Sequence, residues 1–132
     1  MTRKTPGPIV LVVDDEDAVL QAARRILESD GYRVIEASNG AEAVALLAKD
    51  TPVDLLMADL AMPGLSGEEM VRQFRAARRD LKVLYVSGVI DRLLDERPVL
   101  WDGEAFLSKP FTADGLLEAV ALLLYGTLKK KD

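Results

Sequence analysis

The sequence predicts an α/β fold in which a five-stranded parallel sheet carries helices on both faces. Short apolar segments alternate with stretches of helical periodicity, and such alternation is typical of a doubly wound parallel sheet. Most of the apolar segments lack a polar residue at every second position, as expected for strands buried on both faces. The predicted strands are residues 9–13, 33–37, 53–58, 82–86 and 104–107.

The length of 132 residues indicates one domain that can fold without a metal or disulfide. We expect residues 9–126 to form this domain. Residues 1–8, which include two prolines and a glycine, are expected to be a flexible arm, and residues 127–132 a solvated basic tail.

Start and stop signals accompany the predicted helices. The first has an apolar stripe at Val19, Ala23, Ile26 and Leu27 and is expected to end at Gly31. A fourth helix is predicted over residues 90–97 and ends at Pro98, and its sequence signal is the weakest of the five. Expected caps are Ser38 or Asn39 for the second helix, Ser66 with Glu69 in capping-box spacing for the third, and Thr112 with a stop at Gly126 for the last.

Composition excludes several functional classes. The chain has neither cysteine nor histidine, which rules out thiolate metal sites and removes the commonest proton shuttle and zinc ligand. A net charge of −5 argues against nucleic acid as a partner. No apolar stretch is long enough to span a bilayer, so we expect a cytoplasmic protein without a membrane partner.

Polar residues follow the predicted strands at their carboxyl ends. Asp14 and Asp15 follow strand one, Asp59 follows strand three, Ser87 ends strand four, and Lys109 follows strand five. Ligands of doubly wound sheets bind beyond these ends, where the strand order reverses. If the order is 2-1-3-4-5, three carboxylates converge in one crevice, and their mutual repulsion raises at least one pKa unless a cation is present.

This residue set suits phosphoryl transfer. Carboxylate oxygens without histidine or cysteine favour Mg²⁺, and an aspartate can attack phosphorus to form an acyl phosphate. Lys109 could neutralise the new charge, and the Ser87 hydroxyl could donate to a phosphoryl oxygen. Each element also has a simpler structural explanation, such as a helix cap or a turn. Their combination at four of the five strand ends favours the functional interpretation.

The sequence resembles the receiver domain of bacterial two-component response regulators; it is similar to chemotaxis regulators and loosely similar to the receivers of hybrid sensor kinases. The resemblance covers about residues 9–125 and implies a flavodoxin-like sheet of order 2-1-3-4-5. The segments that carry it are VLVVDDE at residues 10–16, DLLMADLAMPGLSG at residues 54–67, VLYVSG at residues 83–88 and FLSKPF at residues 106–111.

The resemblance also implies roles for particular residues. Asp14 and Asp15 would hold Mg²⁺ with Asp59 and the Ala61 carbonyl. Asp59 would accept a phosphoryl group from a phosphohistidine on a histidine kinase or a histidine phosphotransfer protein. The chain would thus catalyse its own Mg²⁺-dependent phosphorylation and dephosphorylation without being a conventional enzyme.

A conformational switch is implied as well. Ser87 would move toward the phosphoryl group, Lys109 would pair with it, the ring of Phe106 would change rotamer, and the Lys109–Pro110 bond would be cis.

Three alternatives compete with this interpretation. Haloacid-dehalogenase-like phosphatases need a second acid two residues after the nucleophile, where this chain has Ala61. A flavin-binding protein would not place Asp14 and Asp15 beside a flavin phosphate. A degenerate receiver that only docks to a protein partner is the more serious alternative, and the intact set of Asp59, Ser87 and Lys109 argues against it.

Overall fold

The computed structural model describes residues 7–62, 64–88 and 103–126, which hold five strands and four helices. The strands are β1 (Ile9–Val13), β2 (Arg33–Ala37), β3 (Leu55–Asp59), β4 (Lys82–Ser87) and β5 (Glu104–Ser108). The helices are α1 (Asp17–Ser29), α2 (Gly40–Ala48), α3 (Gly67–Ala77) and α4 (Ala113–Tyr125).

All strand pairs are parallel, and the sheet order is β2-β1-β3-β4-β5. The predicted fold class and strand order are therefore confirmed. Because β1 and β3 are neighbours although β2 lies between them in sequence, the strand order reverses between them. Their carboxyl ends flank the crevice where a doubly wound sheet binds its ligand.

Burial explains why the strand segments are so apolar. All residues of β1 and β3 and most of β4 are buried, whereas the edge strands β2 and β5 are partly exposed. One hydrophobic cluster lies between the sheet and helices α2 and α3, and a second lies between the sheet and helices α1 and α4. The two clusters hold the strand ends at a rigid edge.

Most of the predicted helix signals are present in the structure. The side chains of Asn39, Ser66 and Thr112 each accept a hydrogen bond from the third backbone amide beyond them. Gly31 and Gly126 adopt positive φ angles of 94° and 75°, as expected for residues that end helices. The capping box of α3 is only half formed, because the carboxylate of Glu69 pairs with Arg72.

Two local predictions were wrong. The third strand begins at Leu55 rather than residue 53, because the side chain and backbone of Asp54 bond to Ile9 at the start of β1. This strand also continues through Asp59, which pairs in register with Val86. On α1 the predicted stripe is buried at Ala23 and Leu27 and also includes Leu20, whereas the predicted Val19 and Ile26 are only half-buried.

The predicted helix at residues 90–97 and the tail at 127–132 lie outside the described residues, as does most of the arm at 1–8. No described helix is long and apolar enough to cross a bilayer.

Gly67, the first residue of α3, allows this helix to approach the end of β3 closely. A Cβ at this position would lie 2.9 Å from the Cα of Leu60 and closer still to the carbonyl oxygen of Asp59. Backbone atoms cannot yield as a side chain can, so we expect Gly67→Ala to lower the free energy of unfolding by about 2 kcal/mol. Urea denaturation would measure this loss.

Gly88 provides the matched control, because a Cβ there meets no atom of the described residues within 4 Å. Gly88→Ala should change the free energy of unfolding by less than about 0.5 kcal/mol. Equal effects from the two substitutions would show that close packing at Gly67 is not the cause.

Candidate functional site

The carboxyl ends of β1 and β3 bring Asp14, Asp15 and Asp59 together. A carboxylate oxygen from each lies within 4.8 Å of the others. Asp14 and Asp59 are buried, with 2% and 3% of their surface exposed, while Asp15 is exposed at the mouth of the crevice. The predicted convergence of three carboxylates is therefore present.

Asp59 is held in a fixed orientation. Its Oδ1 accepts a hydrogen bond of 3.0 Å from the backbone amide of Ala61, and its Oδ2 lies 3.4 Å from the Nζ of Lys109. Burial and, to a lesser degree, the nearby charge of Asp14 raise the pKa of Asp59, whereas the Ala61 amide and Lys109 act in the opposite direction. The pKa is raised as predicted, but burial is the largest cause, whereas the prediction rested on repulsion between the carboxylates.

Among the described residues, Lys109 is the cation that contacts the carboxylates of the crevice. Its Nζ lies 2.9 Å from Asp14 Oδ2 and 3.0 Å from Glu16 Oε1, in addition to its contact with Asp59. Burial alone would lower the pKa of Lys109, but hydrogen bonds to Asp14 and Glu16 and the charges of Asp14 and Asp59 raise it well above the ordinary value. The ammonium group is therefore charged at neutral pH.

Glu16 is the residue that sequence reasoning missed. It is the N-cap of α1, but its side chain makes no capping hydrogen bond and reaches Lys109 instead. Its backbone amide donates to Asp14 Oδ1 at 2.9 Å, which orients that carboxylate. The signal in the sequence is a third consecutive acid directly after β1.

Ser87 and Phe106 lie on the same face of the sheet. Tyr85 pairs in register with Phe106 and Ser87 with Ser108, and side chains two apart in a strand share a face. Ser87 is completely buried and Phe106 is half-buried against the cluster under α2 and α3.

Backbone hydrogen bonds tie the loops of the crevice to the end of β4. The Leu60 amide donates to the Val86 carbonyl at 3.1 Å, and the Lys109 amide donates to the Ser87 carbonyl at 3.0 Å. The Lys109–Pro110 peptide bond is cis, as predicted. Asp59, Ser87 and Lys109 are therefore held in one backbone framework.

The donor set of the crevice fits a hard divalent cation. Asp14, Asp15 and Asp59 supply oxygen ligands only, which suit Mg²⁺ better than a softer metal. Ala61 is exposed beside the group, and its amide already bonds to Asp59. These residues could therefore hold a metal ion.

Comparison with known proteins identifies the family. The chain matches the response regulator receiver domain over residues 10–121. It belongs to this family. This receiver domain thus has the phosphoryl-accepting role of two-component signalling, and its intact site does not favour a degenerate docking module.

Individual relatives agree with this assignment. The receiver domain is 38% identical to response regulator MprA of Mycobacterium avium, covering 93% of this chain and 54% of MprA. It is 34% identical to sensor kinase CckA of Brucella abortus, covering 93% of this chain and 13% of CckA. A structure of response regulator TrrA from Thermotoga maritima has a TM-score of 0.76 and 31% identity, covering 89% of this chain and 99% of TrrA.

The chain therefore spans about half the length of MprA and a smaller share of CckA. The match to CckA also agrees with the looser resemblance to receivers of hybrid sensor kinases.

Proposed function

We propose that Asp59 is the phosphoryl acceptor and that its donor is a phosphohistidine on a histidine kinase or a histidine phosphotransfer protein. The observation that carries this proposal is the position of the Asp59 carboxylate, between the Ala61 amide and the Lys109 ammonium group. Among Asp14, Asp15 and Asp59, it is Asp59 that ends the strand at the centre of the sheet.

The proposed transfer exchanges one bond for another. An oxygen of the ionised Asp59 carboxylate attacks phosphorus, the bond from phosphorus to the histidine nitrogen breaks, and the imidazole keeps the electron pair and takes up a proton. Lys109 stabilises the negative charge of the transferred group. The buried position of Asp59 limits the access of water to the resulting acyl phosphate.

We propose Mg²⁺ as the cofactor, held by Asp14, Asp15 and Asp59 with a contribution from the Ala61 carbonyl. The ion would neutralise negative charge on the phosphoryl oxygens. Support comes from the oxygen-only donor set and from TrrA, whose structure was solved in complex with Mg(2+)-BeF.

We further propose that phosphorylation switches the conformation through Ser87 and Phe106, that residues 9–126 form the functional unit, and that it acts in the cytoplasm. Ser87 would donate to a phosphoryl oxygen, and the ring of Phe106 would follow its movement. Their placement on one face of the sheet supports this coupling.

Phosphorylation by a small donor tests the proposed function. The chain is incubated with acetyl phosphate and Mg²⁺, and its adduct is mapped by mass spectrometry after proteolysis. An acyl phosphate on Asp59 that hydroxylamine releases is expected. A chain that stays unmodified, yet still binds a histidine kinase, would instead support the docking module.

Asp15 provides a test of the metal site. We expect Asp15→Ala to weaken Mg²⁺ binding by at least about tenfold, because it removes one of the three carboxylate donors and its negative charge. Isothermal titration calorimetry of the folded variant would measure the change. Since Asp15 is exposed, its loss should not destabilise the fold, and an unchanged affinity would place the metal elsewhere.

Glu16 should restrain Lys109 before phosphorylation. In Glu16→Gln the negative charge of residue 16 is removed, so that Lys109 is paired only with Asp14 and Asp59 among the described carboxylates. Its ammonium group is then more available to the incoming phosphoryl group. Because the Glu16 side chain is 62% exposed, the effect should be modest. The initial rate with acetyl phosphate is expected to rise about two- to fivefold.

Asp17→Asn is the control for this experiment. Asp17 is the exposed neighbour of Glu16 in the first turn of α1, so its substitution removes the same charge from nearly the same place. If both variants speed the reaction equally, general electrostatic attraction of the donor explains the result and the contact with Lys109 does not.

A further inference from the structure

A buried polar network lies under the sheet face that carries Phe106. The hydroxyl of Tyr85 on β4 donates to Glu104 Oε2 on β5 at 3.0 Å, and the Nη1 of Arg75 on α3 lies 3.7 Å from the same oxygen. Tyr85 is 2% exposed and Glu104 is 7% exposed. A buried carboxylate is stable only with hydrogen-bonding or charged partners, so these contacts contribute to where the Glu104 side chain lies.

This network touches the switch residue through Tyr85. The rings of Tyr85 and Phe106 are in contact, with centroids 5.3 Å apart and planes inclined by 43°. The two residues pair across the strands, and Glu104 is two residues before Phe106 on the same face of β5. A change in the position of the Tyr85 ring therefore changes the space available to the Phe106 ring.

The Nη1 and Nη2 groups of Arg75 make no hydrogen bond to a described residue. Its Nε donates to the Leu81 carbonyl at 3.0 Å, and Nη1 is slightly too far from Glu104 for a hydrogen bond. Its Nη2 is buried and has no hydrogen-bond partner among the described residues. A guanidinium group favours paired hydrogen bonds to a carboxylate. The two Nη groups of Arg75 are therefore available for a closer, paired contact with Glu104.

The unused donors of Arg75 allow a second arrangement of the Glu104 carboxylate besides the one observed. In the one observed, it accepts a hydrogen bond from Tyr85 and remains loosely paired with Arg75. In the other, a small movement of α3 or β5 would give Arg75 a paired contact with Glu104 and release the Tyr85 hydroxyl. The released ring could then tilt away from Phe106.

We propose that Tyr85 and Glu104 are positioning residues for the Phe106 switch, and that exchange of Glu104 between Tyr85 and Arg75 couples the switch to α3. This inference rests on the proposed function, because it assumes that Phe106 responds to a phosphoryl group on Asp59. The Tyr85 hydrogen bond favours the unphosphorylated arrangement, and the Arg75 contact favours the other.

Two substitutions should shift the Phe106 equilibrium in opposite directions. Tyr85→Phe keeps the ring but removes the hydrogen bond to a charged group, so the ratio of the two Phe106 positions should move roughly tenfold toward the phosphorylated arrangement. Arg75→Lys keeps the charge but lacks the paired Nη donors. The ratio of the two Phe106 positions should therefore move by a similar factor toward the unphosphorylated arrangement. If both substitutions only loosened the fold, they would shift the ratio of the Phe106 positions in the same direction.

Aromatic NMR of the full 132-residue chain with labelled phenylalanine measures this ratio, since only 3 phenylalanines contribute signals. Spectra are recorded with and without Mg²⁺ and beryllofluoride, which mimics the phosphoryl group. Tyr85→Phe alone should shift the Phe106 signals toward their beryllofluoride-bound positions. Tyr32→Phe is the matched control, because it removes a buried tyrosine hydroxyl on the opposite face of the sheet.

The possible outcomes are distinct. Opposite shifts in Tyr85→Phe and Arg75→Lys, with none in Tyr32→Phe, support the proposal. Wild-type behaviour of both test variants, or an equal shift in Tyr32→Phe, overturns it while the proposed function stands. If the Phe106 signals of the wild type do not shift on addition of beryllofluoride, the proposed switch is wrong and this inference is wrong with it.

Discussion

Asp59→Asn is expected to abolish phosphorylation of the chain by acetyl phosphate while the fold stays intact. The asparagine side chain has nearly the same shape, and its carbonyl oxygen can still accept the hydrogen bond from Ala61. Its amide nitrogen is not a nucleophile toward phosphorus, so no acyl phosphate can form. Intact-protein mass spectrometry measures the phosphorylated fraction, which should fall from a clear signal in the wild type to none.

The same variant should be at least as stable as the wild type at neutral pH without a metal. Burial, assisted by the charge of Asp14, raises the pKa of Asp59, so the folded state binds a proton more tightly than the unfolded state. The contribution of Asp59 to the free energy of unfolding is therefore fully present below the ordinary aspartate pKa. It falls as the pH rises toward the raised pKa of the folded state, and it is lost completely above that pKa. Asparagine does not titrate, so thermal melting should show this pH dependence in the wild type only.

Asp80→Asn is the matched control for the loss of phosphorylation. Asp80 is exposed and precedes β4, at the opposite end of the sheet from the crevice. This variant should be phosphorylated as fast as the wild type. Undiminished labelling of Asp59→Asn, or an adduct on another residue of the wild type, would contradict the assignment of the acceptor.

The fold was predictable because the hydrophobic pattern and the parallel topology depend on each other. Strands such as Ile9–Val13 are apolar throughout, and only a sheet covered on both faces buries them completely. Helix ends were predictable where a short polar side chain caps the helix, as at Asn39 and Thr112. The start of β3 was not, because a long-range contact between Asp54 and Ile9 determines it.

The site was largely predictable for a geometric reason. Parallel strands bring their carboxyl ends to one edge, so residues far apart in sequence, such as Asp14, Asp59 and Lys109, could be placed together before any distance was known. The partner of Glu16 could not be predicted in this way. An acid directly after Asp-Asp could cap α1 or face solvent equally well, and only the position of the Lys109 ammonium group distinguishes these.

The network of Tyr85, Glu104 and Arg75 could not have been predicted at all. Glu104 begins an edge strand, where an exposed charge is the ordinary expectation. Its burial depends on the register of β4 and β5 and on the last turn of α3, which meet only in the folded chain.

Lys109→Ala is the second substitution with a large expected effect, and it should separate stability from switching. Without a metal, the variant should lose about 1–3 kcal/mol of the free energy of unfolding, because buried Asp14 and Asp59 lose their cation. The raised pKa of Lys109 means that its stabilising contribution is fully present below the ordinary lysine pKa of about 10.4. Titration of Lys109 itself should therefore add no pH dependence to the loss measured by urea denaturation near neutral pH.

Mg²⁺ binding should survive this substitution. Removing a positive charge makes the crevice more negative, so the affinity for Mg²⁺ is expected to be equal to or higher than that of the wild type. Saturating Mg²⁺ should then recover part of the lost stability by mass action. Lys49→Ala, which removes an exposed lysine at the end of α2, should change neither quantity.

Switching is the property that Lys109→Ala should lose. The variant is expected to accept phosphoryl groups slowly, because Asp59 and the other acids remain, but the phosphoryl group has no ammonium partner to draw β5 toward it. Amide NMR with Mg²⁺ and beryllofluoride should show the wild-type shifts at Ser87 and Phe106 strongly reduced. Ser87→Ala should behave alike, since it removes the hydroxyl donor. If Lys109→Ala retains the full wild-type shifts, Lys109 only balances charge in the crevice, and a different group must transmit phosphorylation to Phe106.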